Sequence, residues 1–350
     1  MYEYNTNFIG GGGKYIVQFE RAFAEFCECK YAASCCNGTV ALHLALLALG
    51  IKEGDEVIMP VITYIATANA VRYVNAKPVF TDVDKDGWNI DVEKIEEKIT
   101  PNTKAIIVVH LYGNPVDMDA VMAVAKNHNL YVIEDAAEAH GAVYKGKKVG
   151  SIGDIGTFSF FGNKVITTGE GGMVTTQNGL IDKKIRLLKG QGVDAQKRYW
   201  HLAVGYNYRM TNLEAAIGLG QLENIEEHIA NRIKIREKYY SLLGPYSDYI
   251  RFQKTTAQSI SINWMTSIIF TSKVKLDRDV ICRKLEERGI ETRPVFYPIN
   301  SMPPYKDGES FPVAKYIAER GINLPTHDLL SEEDVEYICN CLLDILGLME

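Results

Sequence analysis

The sequence predicts an α/β protein with two parts: a large domain on a mainly parallel β-sheet, and a smaller α+β domain behind it. Three observations carry this expectation. Short β-rich apolar runs alternate with helical stretches along the N-terminal part of the chain, the spacing of βαβ units with helices on both sheet faces. The longest helical period, residues 212–243, ends at Gly244-Pro245, which sets the expected domains at 1–243 and 244–350. A chain of 350 residues also exceeds one minimal core, and its 47% hydrophobic and 23% charged content is that of a soluble globular protein.

Residues 10–13 are four glycines followed by Lys14, the outline of a nucleotide-binding phosphate loop. Such a loop needs Gly where Phe8 stands and Ser or Thr where Tyr15 stands, so that reading is rejected. The run reads as a flexible lead into an amphipathic helix over 15–27, with Val17, Phe19, Phe23 and Phe26 as its apolar positions. A short buried strand follows over 31–36, and Asn37-Gly38-Thr39 opens an apolar helix that closes at Gly50. Strand, small-residue turn and helix N-terminus gather backbone N–H groups and a Thr hydroxyl around one point. That is a seat for a phosphate, although an ordinary N-cap has the same pattern.

Strands are then expected over 56–60, 78–81, 105–110 and 130–134, separated by helices over 64–74, 92–99 and 118–128. Ligands of parallel sheets collect at the carboxyl ends of their strands, and Asp135 stands at one. A helix cap is the plain alternative for Asp135, but the following AAEAHGAVYKGKKVG breaks into glycines instead of forming a helix. Residues 157–161 read as a further buried strand, running into a glycine-bearing loop that carries Lys164. Its nearest lysine neighbours, Lys148 and Lys183, lie in polar stretches that read as solvent-facing. A lysine beside aromatic walls loses part of its ammonium hydration, which lowers its pKa as an amine nucleophile requires. A solvated turn lysine is the plain alternative. Beyond the long helix, a strand over 262–270, a helix over 277–288, an extended 291–298 and a final helix over 332–346 form the smaller unit.

The formal net charge of -6 and the lack of a basic cluster argue against nucleic-acid binding. No apolar run approaches a membrane span, and MYEYNTNFIGGGG lacks the layout of a signal peptide, so a cytoplasmic location is expected. The seven cysteines are scattered, with no pair at structural-zinc spacing; free thiols and no metal are expected.

A phosphate seat at Gly38-Thr39, a carboxylate at Asp135 and an amine at Lys164 are together what pyridoxal phosphate (PLP) needs. Its aldehyde bonds a lysine, its phosphate takes amide and hydroxyl donors, and a buried aspartate keeps its ring nitrogen protonated. A nicotinamide oxidoreductase would need a glycine fingerprint between strand and helix, and none is present.

The stretches SCCNGTVALHLALLALG, GDEVIMPVITYIATANAV, VHLYGNPVDM, VIEDAAEAHGA, GTFSFFGNKVITTGEGGMV, VGYNYRMTNLEAAIGLGQLE, ETRPVFYPI and INLPTHDLL carry a resemblance over nearly the whole chain. It is to the PLP-dependent sugar aminotransferases of the DegT/DnrJ/EryC1/StrS type, within the aspartate aminotransferase fold (PLP fold type I). SFFGNK, YWHLAVGYNYRMT and RPVFYPINSMPPY look most like the perosamine-forming and related C4 aminotransferases.

The resemblance implies that Lys164 bonds the cofactor and moves the proton, and that Asp135 pairs with the ring nitrogen. Gly38, Thr39 and Ser159 would hold the phosphate, and Tyr64 would lie against the ring. Asn207 would reach the phosphate of a neighbouring subunit, implying a homodimer with shared active sites. Arg293 and Tyr297 are weaker candidates for sugar-nucleotide contacts. Glu138 stands where many members have Gln, so its contact with the cofactor's phenolic oxygen requires a proton. The glycine run also stands where the resemblance implies a longer N-terminal helix.

The expected reaction moves the amino group of L-glutamate to C4 of a nucleotide-linked 4-keto-6-deoxyhexose, giving a perosamine-like or viosamine-like product. A C3 sugar aminotransferase and a PLP-binding regulatory protein are the alternatives. Related dehydratases carry His in place of the lysine, and Lys164 argues against that chemistry.

Overall fold

The computed structural model describes residues 13–197 and 199–349; most of the glycine run, and the expectation that it shortens the N-terminal helix, lie outside them. Helix α1 (Lys14–Phe26) leads into β1 (Tyr31–Cys35) and α2 (Gly38–Leu49), then β2 (Glu56–Pro60), α3 (Ala66–Tyr73) and β3 (Lys77–Thr81). After β4 (Thr103–Val109) come α4 (Met118–His128) and β5 (Tyr131–Asp135), then the short β6 (Val143–Tyr144) and β7 (Lys147–Lys148). Strands β8 (Ile155–Ser159) and β9 (Gly172–Thr176) precede α5 (Gly179–Lys189), α6 (Asn212–Leu222) and α7 (Ile225–Leu243). The chain ends through β10 (Ile250–Phe252), β11 (Ser259–Ile260), β12 (Thr266–Phe270), α8 (Arg278–Glu286), β13 (Arg293–Pro294), α9 (Pro312–Arg320), β14 (Gly321–Leu324) and α10 (Glu332–Ile345).

The large sheet has seven strands in the order β1-β9-β8-β5-β4-β2-β3. From β8 to β3 neighbouring strands pair in parallel, while β9 is antiparallel to both β8 and β1. This is the expected mainly parallel sheet, and helices cover its apolar faces. The second sheet, β10-β12-β14-β13, is antiparallel throughout.

Four expectations are corrected. Residues 92–99 form two 3₁₀ turns, Val92–Lys94 and Glu96–Lys98, instead of an α-helix. Ile95 is the one fully buried side chain there, and Pro101 disfavours helical backbone at Thr100, too little to sustain a longer helix. The long helix is two helices broken at Glu223-Asn224, where the Asn224 side chain donates to the Gly220 carbonyl oxygen at 3.3 Å. The strand expected from 262 begins at Thr266, because Asn263 adopts a positive φ of 47° and turns the preceding chain into a loop. In α1, Ile16 joins Phe19 and Phe23 in the core while Val17 faces outward.

Two apolar clusters are present among the described residues. The second cluster begins inside α7, at Ile235, Tyr239 and Leu243. Val295, Ile299, Phe311, Ala314 and Ile317 return to the larger one. The Asp82 carboxylate fastens this returning segment by accepting the Val313 and Ala314 N–H groups, at 3.1 and 2.8 Å, at the start of α9. All seven cysteines are free. Among the described residues no cluster could hold a metal ion, and no helix is long and apolar enough to cross a membrane.

Candidate active site

The carboxyl ends of the parallel strands open into a cavity of about 480 Å³. At one end stands the N-terminus of α2. Asn37 caps it, accepting the Val40 N–H through its side chain at 2.9 Å and the Ala41 N–H through its carbonyl oxygen at 3.1 Å. Helix geometry leaves the N–H groups of Gly38 and Thr39 without intrahelical partners. Both residues line the cavity, as does Ser159 at the end of β8. A Cβ on Gly38 would lie 2.7 Å from the Cβ of Ser159, so only glycine lets helix and strand approach this closely. Free amides, two hydroxyls and the positive end of a helix dipole fit a phosphate.

Asp135 ends β5 and is buried. Its Oδ2 accepts the Thr67 hydroxyl at 2.8 Å, and its Oδ1 accepts the Ala137 N–H at 3.2 Å. Burial pushes its pKa up against the pull of those hydrogen bonds and of Lys164 and His110. A carboxylate in so dry a wall is stabilised by a cationic partner such as a protonated ring nitrogen.

Lys164 sits on the loop after β8, with its side chain only 12% exposed. Its backbone N–H donates to the Phe161 carbonyl oxygen at 2.9 Å, which holds the turn. Its Nζ lies 3.9 Å from the centroid of the Trp264 ring and 3.9 Å from Glu138 Oε1. Burial lowers the Lys164 pKa, and Glu138 and Asp135 oppose that shift. A partly desolvated amine of this kind suits attack on a carbonyl carbon. Trp264 is fixed in turn, its Nε1–H donating to the Asn163 carbonyl oxygen at 2.8 Å.

Glu138 is buried, and its Oε2 accepts the Tyr112 N–H at 2.8 Å. Burial pushes its pKa up to about 7, against the pull of Lys164 and the Tyr112 N–H. Tyr112 has a positive φ of 57° and stacks on Trp264, while its OH accepts the Phe296 N–H at 3.0 Å. The exposed ring of Tyr64 faces Phe296 at 6.0 Å across the cavity mouth.

Eight of the expected residues therefore line one cavity: Gly38, Thr39, Tyr64, Asp135, Glu138, Ser159, Lys164 and Arg293. Asn207 and Tyr297 are not among its lining residues. Asn207 is exposed and bridges to Gly190, whereas the Tyr297 hydroxyl accepts Arg278 Nη2 at 2.9 Å. Lys148 is less solvent-facing than its sequence suggests, with Nζ 3.6 Å from the Phe26 ring centroid; Lys183 is exposed. Sequence reasoning missed Thr67, Tyr112, Trp264 and Asn323. Thr67 follows Tyr64 at one-turn spacing and was open to inference, but the other three reach the cavity through loops or the second sheet.

Residues 4–343 match the model of the DegT/DnrJ/EryC1/StrS aminotransferase family. The chain belongs to that family. It is a PLP-dependent transaminase of fold type I. It is 48% identical to the GDP-perosamine synthase of Caulobacter vibrioides over 98% of this chain and 93% of that one. Identity to the GDP-perosamine synthase of Escherichia coli O157:H7 is also 48%, over 97% and 92%. Among solved structures, the aminotransferase from Psychrobacter cryohalolentis superposes with a TM-score of 0.91 at 34% identity, covering 96% of this chain and 92% of that one. In this DegT-family chain the amides and hydroxyl at the start of α2, the buried carboxylate and the desolvated lysine stand in one cavity, and the residues present fit the cofactor.

Proposed function

We propose that this transaminase transfers the amino group of L-glutamate to C4 of a nucleotide-linked 4-keto-6-deoxyhexose, of the perosamine or viosamine type, in deoxysugar biosynthesis. The observation that carries this reading is the near full-length likeness to GDP-perosamine synthases. PLP, when bound, supplies an electron sink and a carbon that carries nitrogen from donor to acceptor.

The side chains then divide the work. Lys164 would bond the cofactor, and its partly desolvated amine would move the proton between donor and acceptor carbons. Asp135 would keep the ring nitrogen protonated through charge. The amides of Gly38 and Thr39, with the Thr39 and Ser159 hydroxyls, would hold the phosphate, and Tyr64 would lie against the ring face. Glu138 keeps a proton for the phenolic oxygen; its raised pKa supports this. Arg293 contacts the sugar nucleotide. Tyr297 is a weaker candidate for the same role, since its hydroxyl is engaged by Arg278.

Asn207 completes the phosphate site from a second copy of the chain. Support comes from the exposed apolar side chains around it, Leu202, Val204, Leu213 and Ile217, which a homodimer interface would cover. Seven free thiols suit the reducing cytoplasm.

The test is a panel of GDP-, UDP- and dTDP-linked 4-keto-6-deoxyhexoses incubated with holoenzyme and L-glutamate and read by mass spectrometry. The expected result is an amino sugar nucleotide formed together with 2-oxoglutarate. No nitrogen transfer to any member of the panel would sink the assignment.

A further inference from the structure

A second cavity, of about 600 Å³, adjoins the first and shares Asn163, Lys164, Met265, Arg293 and Asn323 with it. It lies between α7 and the loops that precede β13 and α10. One residue on its wall is unusual. Arg232 of α7 is only 7% exposed. Its Nη1 donates to the Thr326 carbonyl oxygen at 3.1 Å and lies 3.4 Å from Asp328 Oδ1, but its buried Nε–H has no partner among the described residues. Asp328 is itself shared, bonding His228 through Oδ2. The guanidinium is thus under-compensated, and an oxyanion beside it would satisfy a buried donor that otherwise costs stability.

Arg293 lines the wall with Arg232, and Lys164 and His327 stand beside them, against two acids. Asp334 is committed to capping α10 through Ser331, and Glu291 is exposed and 3.7 Å from Arg293. The mouth of the first cavity is instead rimmed by the rings of Tyr64, Phe161 and Phe296, which suits a sugar or base ring. A small donor with two carboxylates, one of which must stay near Lys164, needs a cationic pocket within reach of that lysine for the other.

We propose that the second cavity binds the side-chain carboxylate of an acidic amino donor, with Arg232 donating its free Nε–H to it. This rests on the transaminase reading above, in which the donor is glutamate. The same oxyanion chemistry would accept the diphosphate of the acceptor, and the test separates the two.

The donor half-reaction of the holoenzyme is followed by the change in cofactor absorbance, with L-glutamate and with L-glutamine, which has the same shape without the charge. The wild-type protein is expected to prefer glutamate. Arg232→Met should lower the glutamate-to-glutamine ratio of kcat/KM by about tenfold or more, the size of a charged hydrogen bond. His327→Glu, which leaves Thr326 and Asp328 in place, should move the ratio the same way if the Arg232 variant does not fold. Glutarate should protect the wild-type holoenzyme against heat and lose that effect in both variants.

An unchanged ratio overturns the proposal. Equal losses with both donors overturn it too, by making Arg232 a packing residue. A normal donor ratio with a slowed acceptor half-reaction would assign the cavity to the diphosphate and overturn it as well. If neither amino acid reacts with the wild-type enzyme, the glutamate reading fails separately. Glutarate protection abolished by Arg232→Met would still support the carboxylate site, and no protection would overturn it.

Discussion

The pair Lys164 and Glu138 shows how burial sets chemistry at a single residue. Their charged atoms are 3.9 Å apart in a wall that excludes water, and burial disfavours the ionised form of each. If Lys164 bonds the cofactor as proposed, replacing it by Ala removes that amine. The variant should leave no borohydride-stable label on the chain and lose activity by about 10³-fold or more, the scale of a lost general base. Glu138 titrates at about 7 in the folded chain and near the ordinary carboxylate value when unfolded. The folded state thus binds the extra proton between these values, and the stabilisation is complete at low pH and disappears as pH rises through about 7. Melts of the cofactor-free protein from pH 5 to 8 should show the wild type losing stability relative to Glu138→Gln as pH rises. If Glu138 also keeps the proton for the phenolic oxygen, Glu138→Gln should show sharply reduced turnover; unchanged kinetics would remove that role.

At the scale of elements, the site is a set of strand ends and one helix end, and this decides how much of it the sequence discloses. Gly38, Thr39, Asp135 and Lys164 each follow or end a short apolar run, so local pattern was enough to place them at the carboxyl edge of the sheet, whereas Ser159 lies inside the run read over 157–161 and came only from the resemblance. Trp264 was hidden because the apolar run around it reads as continuous strand. The positive φ at Asn263 that turns the chain toward Lys164 has no signature in the pattern. Asn323 was hidden for another reason: it is interior to β14, and it lines the cavity only because the second sheet comes to stand at the cavity wall. Long-range packing is not encoded in periodicity. The break at Asn224 was missed because the apolar spacing continues across it while the Asn side chain competes for the helix backbone. The α2 terminus yields a direct test. Gly38→Ala would place a Cβ 2.7 Å from that of Ser159 and push the helix end off the strand. Alanine is a better helix former than glycine, so secondary structure should persist while PLP affinity falls by about tenfold or more, measured by equilibrium titration of the cofactor-free protein.

For the whole molecule, the open question is whether one chain holds a complete site. The described chain gathers eight of the expected residues in one cavity but leaves Asn207 exposed on the segment between α5 and α6. The same segment and the helix after it expose Leu202, Val204, Leu213 and Ile217, with Val204 88% exposed, and a second copy of the chain could cover these side chains. A two-fold dimer that buries this surface could put Asn207 of each protomer at the phosphate seat of the other. Val204→Asp should then shift sedimentation from dimer to monomer and weaken cofactor binding in step. Complementation gives a sharper test. Lys164→Ala and Asn207→Ala homodimers should each be defective, but in a mixed dimer one site receives the intact lysine from one protomer and the intact asparagine from the other. If half of the reassociated dimers are mixed, about a quarter of all sites recover both groups. Activity that reappears on mixing, and only under conditions that let protomers exchange, establishes a shared site. Activity that stays at the level of the separate variants would mean that Asn207 serves its own chain or none.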